Sequence, residues 1–268
     1  LGRFLDRYRP LPMCSIALPL PAVPCVLVDN ATGIRDALAH LLDHHGARRI
    51  ACIRGPEANP EAASRFAVYC DVLAEHGIPV EANLIVTGDF QQATGANAIE
   101  LLFGGQQQPP EAIVACNDDM ALGALTALRA RRLRVPEDVA LLGFDDVEAA
   151  RFSNPPLTTV RQPLREQGVR AAEMVLAQIR GEPTVDCVNL HTELVTRQSC
   201  GCSGLPYAAA ASSFPIPADE PPRAALERLR ARLPLVLARA LPSSRLALEP
   251  GWEERLTDQL IAELDAAP

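Results

Sequence analysis

The fold is decided by the stretch Ala112-Ile113-Val114-Ala115-Cys116-Asn117-Asp118-Asp119-Met120-Ala121-Leu122-Gly123. Its first five residues are apolar, which predicts a buried β-strand. The polar triplet Asn117-Asp118-Asp119 follows at once, and an Ala- and Leu-rich helix begins there. The junction therefore places polar side chains and a helix N-terminus at the carboxyl end of a strand, where open α/β sheets bind ligands. The alternative is that Asn117 or Asp118 only caps the helix.

Strand-like and helix-like segments alternate along the chain from about residue 25 to residue 146. Short apolar runs typical of buried strands are separated by amphipathic helices, and the connecting loops are short. This pattern predicts a parallel, doubly wound α/β sheet. An aspartate stands at four of the predicted strand ends, namely Asp29, Asp89, Asp118 and Asp145. No GxGxxG or P-loop sequence occurs at these ends, which argues against a dinucleotide or nucleoside triphosphate site.

The composition restricts the class of partner. The chain has 268 residues and a formal net charge of −8, and all 25 basic residues are arginine. An acidic chain without a basic stripe is a poor candidate for direct contact with DNA. The sequence contains no run of about 18 or more apolar residues, so no membrane span is predicted. We therefore expect a cytoplasmic protein that makes no contact with a membrane.

Cysteine and histidine residues were considered as metal ligands. The eight cysteines are expected to be reduced and mostly buried as small hydrophobic residues. Cys200-Gly201-Cys202 is the one pair with suitable spacing, but a zinc site needs two further ligands, and His191 is the only candidate nearby in the sequence. His40, His44 and His45 lie on the polar side of a predicted helix and are expected to be surface residues. We therefore expect no metal and no cofactor.

The alternation of strands and helices stops after Asp146. The sequence Asn154-Pro155-Pro156 interrupts it, and residues 157–160 are predicted to be an extended crossing segment. A long amphipathic helix from about Leu164 follows, and residues 188–195 are predicted to be a closing pair of extended segments. Beyond these, residues 203–222 are rich in Ala, Ser and Pro and are predicted to be a linker. Residues 223–268 are predicted to be a helical extension.

Three strings of sequence resemble the effector-binding domain of the LacI/GalR family of bacterial transcriptional regulators. They are ACNDDMALG at 115–123, VPEDVALLGFDD at 135–146 and PLTTVRQP at 156–163, and they occur in the family's order with compatible spacing. The resemblance extends over about residues 10–200. It implies a two-lobe, periplasmic-binding-protein-like (type I) fold in which parallel, doubly wound sheets enclose a small ligand.

The resemblance also implies a division into lobes. The first lobe is expected to comprise residues 1–56 and 160–184, and the second lobe residues 57–159 and 185–202. The chain is then expected to cross between the lobes near Gly55, near residues 158–162 and near residues 183–185. We expect the start of the first lobe and the family's DNA-binding headpiece to be missing, so that DNA is a partner only through a headpiece absent from this chain. A homodimer is also expected.

Five residues are expected at the ligand by resemblance to the family: Arg65, Phe90, Asn117, Asp145 and Leu164. The planar guanidinium of Arg65 suits two adjacent hydroxyls or a carboxylate. The alternative is an arginine on the surface of its helix. Phe90 is expected either to form an apolar wall for a sugar face or a flat base, or to be a core residue. Leu164 is a further candidate for such a wall.

Asn117 and Asp145 are expected at adjacent strand ends. An amide offers a donor and an acceptor, and a carboxylate accepts two hydroxyl donors, so the pair suits a sugar or a similar polyol. The alternative is that the two residues cap the helix and the turn that follow them. We expect Asp118 and Asp146 to take these capping roles, which leaves Asn117 and Asp145 for the ligand.

Together these features predict a non-catalytic sensor of a small polar effector, sugar-like or nucleoside-like, that controls the DNA binding of a transcriptional regulator. The ending LVTRQSCGC at 194–202 also resembles the junction of sensor modules in diguanylate cyclases and histidine kinases, so a signalling input module is the alternative. An enzyme such as a magnesium-dependent phosphatase is disfavoured. The strand ends at Asp29, Asp118 and Asp145 have no Asp-x-Asp pair, and the chain has no lysine to hold a phosphate.

Overall fold

The structure, a computed structural model, describes residues 7–8, 11–105, 108–202 and 255. Leu1–Cys202 form one compact unit and Ser203–Pro268 another, and the elements below belong to the first. The predicted linker at 203–222 and the helical extension at 223–268 lie outside the described residues, except for Arg255. Among the helices of the described ranges, none has both the length and the apolar character that a membrane crossing requires.

Strands and helices follow one another in the predicted order. The strands are β1 (Ser15–Ile16), β2 (Cys25–Val28), β3 (Ile50–Arg54), β4 (Ile85–Thr87), β5 (Ala112–Ala115), β6 (Ala140–Asp145), β7 (Thr158–Arg161), β8 (Cys187–Leu190) and β9 (Glu193–Val195). The helices are α1 (Asn30–Ala39), α2 (Pro60–Glu75), α3 (Gln92–Phe103), α4 (Asp118–Ala130), α5 (Glu148–Phe152) and α6 (Leu164–Arg180). A π-helical turn, His40–His44, continues α1, and 3-10 turns lie at Ala82–Leu84 and Gln198–Cys200.

The larger sheet has six strands in the order β4-β3-β5-β6-β7-β9. All neighbouring strands are parallel except β9, which is antiparallel to β7. The central strands β3, β5 and β6 are almost wholly buried, as their continuous apolar sequences require in a parallel sheet. The strand order reverses between β3 and β5, and such a reversal opens a crevice at the carboxyl ends of the strands. The doubly wound prediction is confirmed.

The smaller sheet has three parallel strands in the order β1-β2-β8. Helix α6 packs on this sheet, where Val26 and Leu190 meet Ala171 and Met174 in a separate small core. The side-chain amide of Gln178 on α6 also exchanges hydrogen bonds with the backbone of residue 13, which precedes β1. Two sheets of mainly parallel strands with separate cores confirm the predicted two-lobe fold class.

The chain passes between the two sheets at positions that differ from two of the three expected crossings. Strand β2 lies in the smaller sheet, whereas α1 already packs in the larger core, so the first crossing is at Asp29-Asn30 and not near Gly55. Strands β8 and β9 are not paired with each other, because they belong to different sheets. The last crossing is therefore at residues 191–192 and not at 183–185. The apolar face of α1 decides the first crossing, because it is buried against the larger sheet.

Helices α3 and α4 approach each other closely at two glycines. A Cβ atom at Gly95 would lie 2.0 Å from the carbonyl oxygen of Met120, and one at Gly123 would lie 1.9 Å from the carbonyl oxygen of Gln92. Because both obstacles are backbone atoms, neither position has room for a side chain. The two glycines thus set the distance between α3 and α4, and they place the loop before α3 beside the start of α4.

Candidate functional site

Arg65 is on α2 and lies near the point where the strand order of the larger sheet reverses, between β3 and β5. Its side chain is buried, with 3% of the residue exposed, so the alternative of a surface arginine is excluded. Its Nε donates to Oδ1 of Asn30 at 2.7 Å, and its Nη1 donates to the carbonyl oxygen of Cys116 at 2.6 Å. The guanidinium also lies over the ring of Phe144, 3.7 Å from its centroid. Arg65 thus connects the first crossing to the carboxyl ends of β5 and β6.

Asp145 is the last residue of β6, and its backbone is in the left-handed region with a φ of 124°. Strained positions of this kind are concentrated at functional sites. The carboxylate accepts a hydrogen bond from Nε2 of Gln162 at 2.5 Å. Burial raises the pKa of Asp145 to about 6, against the opposing effects of Arg65 and Gln162. The side chain therefore changes charge close to neutral pH.

Asn117, and not Asp118, caps α4. Its Oδ1 accepts from the backbone N–H of Met120 at 3.0 Å. Its Nδ2 donates to the carbonyl oxygen of Phe90 at 3.1 Å, which leaves one N–H of the amide for a ligand. Asp118 is fully buried and accepts from Oγ1 of Thr159 at 2.5 Å. The expectation was wrong because a cap needs extended backbone, which Asn117 has, whereas Asp118 is already helical.

Asp146 does not act as a simple turn cap either. Its carboxylate accepts from Nε of Arg161 at 2.7 Å and from Nη2 of Arg197 at 2.5 Å, and its side chain is almost completely buried. The two arginines come from β7 and from the segment that follows β9. Asp146 therefore joins the end of β6 to the last described residues of the larger sheet, which leaves Asp145 as the carboxylate nearer to Arg65.

Phe90 and Leu164, the two apolar residues expected at the ligand, lie in different parts of the structure. Phe90 is partly buried, has a φ of 70°, and packs its ring so closely on Gly55 that a Cβ atom there would lie 2.5 Å from the ring. Its carbonyl oxygen binds Asn117, so Phe90 belongs to the same strand-end group as Arg65 and Asp145. Leu164 begins α6 and is 59% exposed. It lies on the helix that packs on the smaller sheet.

An open cleft of about 250 Å³ lies between the smaller sheet and the start of α2. Its polar lining comprises Asp29, Asn30, Glu61, Ser64 and Asn189. Nδ2 of Asn30 donates to Glu61 at 3.3 Å, and Oδ1 of Asn30 accepts from Arg65, so hydrogen bonds link the lining of the cleft to Arg65. The five predicted ligand residues are not themselves part of this lining. Sequence reasoning missed Glu61 and Asn189. Glu61 lies one helical turn before Arg65, which was the available signal.

A second group of side chains was also missed. His40, His45, Cys200 and Cys202 bring their ligand atoms within 4.8 Å of one another. The sequence had indicated surface histidines and, for the cysteine pair, His191 as the only nearby partner. The structure instead supplies His40 and His45, which lie about 160 residues away in the chain. The four side chains meet because the π-helical turn His40–His44 and the residue after it lie beside residues 200–202 in the folded chain.

Two sheets of mainly parallel strands, three crossings and polar strand ends define a two-lobe α/β domain of the periplasmic-binding-protein type. A family profile described as "Periplasmic binding protein-like domain" matches residues 38–200. The solved structures that resemble this chain include several LacI-family regulators. This chain belongs to the LacI family of transcriptional regulators, and it contains a periplasmic-binding-protein-like domain.

Individual relatives support this placement. The HTH-type transcriptional repressor CytR of Escherichia coli (strain K12) is 38% identical over 173 residues, which cover 65% of this chain and 50% of CytR. The solved structure of the E. coli transcriptional repressor ascG is 30% identical with a TM-score of 0.65, and the match covers 74% of this chain and 72% of that one. The complex of the regulator CelR with cellobiose is 34% identical with a TM-score of 0.68, and the match covers 74% of this chain and 62% of that one. The chain spans about half the length of the curated relatives it matches. These relatives are named as transcriptional repressors or regulators.

Proposed function

We propose that this protein is the effector-sensing part of a LacI/GalR-type transcriptional regulator. It binds a small polar effector, sugar-like or nucleoside-like, between its two sheets, and it does so without catalysis. The observation that carries the proposal is the continuous polar group formed by Arg65, Asn30 and Glu61, which joins the open cleft to the ends of β5 and β6. DNA is reached through a helix-turn-helix headpiece, and the working form is a homodimer.

The proposed lobes follow the observed sheets. One lobe comprises residues 11–28 and 163–190, and the other comprises residues 30–161 and 193–202. An effector that contacts both lobes binds the closed arrangement more tightly than the open one and shifts the equilibrium by that difference in affinity. Gln162 lies at the second crossing, where it donates to Asp145 and accepts from Gln167 of α6 at 3.2 Å. An effector that engages Asp145 thereby acts on a contact between the two lobes.

Titration calorimetry on the full chain tests this function directly. The panel comprises cellobiose, monosaccharides and nucleosides. We expect binding of one class of ligand, recovery of the ligand unchanged, and a loss of about 10- to 100-fold in affinity for Asp145→Ala, because a hydrogen bond to a charged group is removed. Asp36→Ala is the matched control, since Asp36 is exposed on α1. Conversion of the ligand, or equal affinity in both variants, would contradict the proposal.

Effector affinity is expected to depend on pH through Asp145. The ionised carboxylate accepts hydroxyl donors at both oxygens, whereas the protonated group is uncharged and one of its oxygens becomes a donor, and the pKa of Asp145 is about 6. Affinity should therefore be constant above pH 7 and fall about tenfold by pH 5, where about one molecule in ten is still ionised. Calorimetry at several pH values measures this, and Asp145→Asn should bind weakly at every pH. A wild-type affinity that does not change between pH 5 and pH 7.5 would contradict the assignment.

The contribution of Asp145 to the free energy of unfolding should change with pH in the direction opposite to that of effector affinity. It should be larger at low pH. The folded-state pKa of Asp145 lies above the ordinary value of an aspartate, so the folded chain holds this proton more tightly than the unfolded chain. Burial raises the pKa of Asp118 to about 6 as well. The stabilisation from these two protons is complete below about pH 4 and is lost as the pH rises through about 6. Protonation of these two carboxylates favours the folded chain. A loss of binding at pH 5 therefore cannot be ascribed to unfolding caused by their titration.

A further inference from the structure

The C-terminal end of α1 brings two histidines to the same side. In a regular α-helix, residues five positions apart point about 140° away from each other. Between His40 and His45 the helix widens into the π-helical turn His40–His44, which changes this angle. The two rings stand edge to face with centroids 4.8 Å apart, and their Nε2 atoms are 3.1 Å apart. π-Helical turns occur frequently at functional sites.

The Cys-Gly-Cys sequence at residues 200–202 brings two thiols to the same place. Its first residue, Cys200, ends the 3-10 turn Gln198–Cys200, and Gly201 has a φ of 101°, which favours glycine. A Cβ atom at Gly201 would also lie only 3.3 Å from ring atoms of His45. The preceding residue, Ser199, is buried and anchors the turn, because its hydroxyl donates to the carbonyl oxygen of Leu141 and accepts from the backbone N–H of Thr158.

Four of the six distances between the ligand atoms of these side chains are close to those around a tetrahedral metal ion. Sγ of Cys200 is 3.4 Å from Nε2 of His40, and Sγ of Cys202 is 3.3 Å from Nε2 of His40 and 3.5 Å from Nε2 of His45. Zinc bonds of about 2.0–2.1 Å to nitrogen and about 2.3 Å to sulfur give about 3.3 Å between two nitrogens and about 3.5 Å between nitrogen and sulfur in a tetrahedron. The four separations that involve these pairs differ from the tetrahedral values by only a few tenths of an ångström. The other two pairs, Cys200 with Cys202 and Cys200 with His45, lie within 4.8 Å.

We propose that His40, His45, Cys200 and Cys202 hold a structural zinc ion. Two thiolates and two imidazoles form one of the usual donor sets of structural zinc, and four protein ligands leave no open coordination position for catalysis. The ion ties the end of α1 to the last described residues of the larger sheet. This site is separate from the effector cleft, and neither proposal depends on the other.

The metal content of the purified protein tests the proposal. The full chain is prepared without a histidine tag, incubated with zinc sulfate, desalted and analysed by inductively coupled plasma mass spectrometry. We expect about one zinc per chain in the wild type and about one-tenth of that or less in His45→Ala/Cys202→Ser, which changes the two more exposed ligands. His44→Ala and Cys187→Ser are matched controls, because both residues are exposed and outside the group, and they should keep the full zinc content.

Thermal unfolding with and without zinc provides a second measurement, which compares the wild type with itself and uses the double variant as a control. Removal of zinc by a chelator should lower the wild-type midpoint by about 5–10 °C, and the addition of zinc should restore it. The chelator should leave the midpoint of His45→Ala/Cys202→Ser unchanged. A wild type that retains less than about one-tenth of a zinc per chain would overturn the proposal. Equal zinc content in the wild type and in the double variant would do the same.

Discussion

Arg65→Leu is expected to lower the free energy of unfolding by about 3–5 kcal/mol, because removal of one partner from a buried charged group leaves the others uncompensated. The carbonyl oxygen of Cys116 and Oδ1 of Asn30 would each lose a donor. The carboxylates of Asp145 and Glu61 would lose the cation that faces them. Chemical denaturation measures the change, and calorimetry below the transition should show an effector affinity about 10- to 100-fold weaker.

Arg35→Leu is the matched control for this variant. Arg35 lies on α1 and pairs with Glu75 of α2, but both side chains are about half exposed. Exposed ion pairs contribute little, so this variant should unfold almost as the wild type does and should bind the effector normally. The role assigned to Arg65 fails if the two variants lose similar amounts of stability. It also fails if Arg65→Leu keeps the wild-type affinity.

Gly123→Ala is expected to lower the free energy of unfolding by about 3 kcal/mol or more, at the upper end of the range for overpacked cores. The new methyl group would meet the backbone of Gln92, which cannot rotate away as a side chain can. Helix α4 must therefore move away from α3. This movement would also stretch the hydrogen bond between Asn117 and Phe90, so effector affinity should fall together with stability. Urea denaturation and calorimetry on the same preparation measure both quantities.

Gly168→Ala makes the same chemical change in a helix where nothing obstructs it. Among the described residues, no atom outside the adjacent residues and the nearby backbone of α6 lies within 4 Å of the Cβ position at Gly168, and the residue is exposed. Alanine should therefore raise the free energy of unfolding by about 0.4–1 kcal/mol, because it restricts the unfolded chain and favours the helix. The opposite signs of the two substitutions are the critical result. If both variants are stabilised or both are destabilised, the role assigned to Gly123, which is to allow the close approach of α3 and α4, is wrong.

Much of the fold could be predicted because its signals are local. The apolar run before Asn117 and the amphipathic helix after it are visible within about fifteen residues of sequence, and the alternation of such units predicts a doubly wound sheet. Arg65 and Asp145 could be singled out as site candidates through motifs that resemble the LacI/GalR family. The structure places both at the carboxyl edge of the larger sheet. Their contact with an effector stays a proposal.

Roles that depend on one backbone angle were assigned less well. Asn117 and Asp118 are neighbours with similar capping propensity, and composition alone did not separate them. Only the folded chain shows that Asn117 has extended backbone while Asp118 is helical and buried against Thr159. The crossing at Asp29-Asn30 was missed for a related reason. The apolar face of α1 was visible in the sequence, but the sheet that would cover it was not.

By itself, the sequence of this protein determined the order of its elements, its class of fold and most of the residues at its strand ends. Local periodicity and capping preferences carry that information, because each acts over one or two turns of chain. Tertiary structure alone decided which distant groups meet: Arg65 with the carbonyl group of Cys116, Gly123 with the backbone of Gln92, and His40 with Cys200 and Cys202. Contacts across 30 to 160 residues arise from packing around the two sheets, and no short stretch of sequence records them.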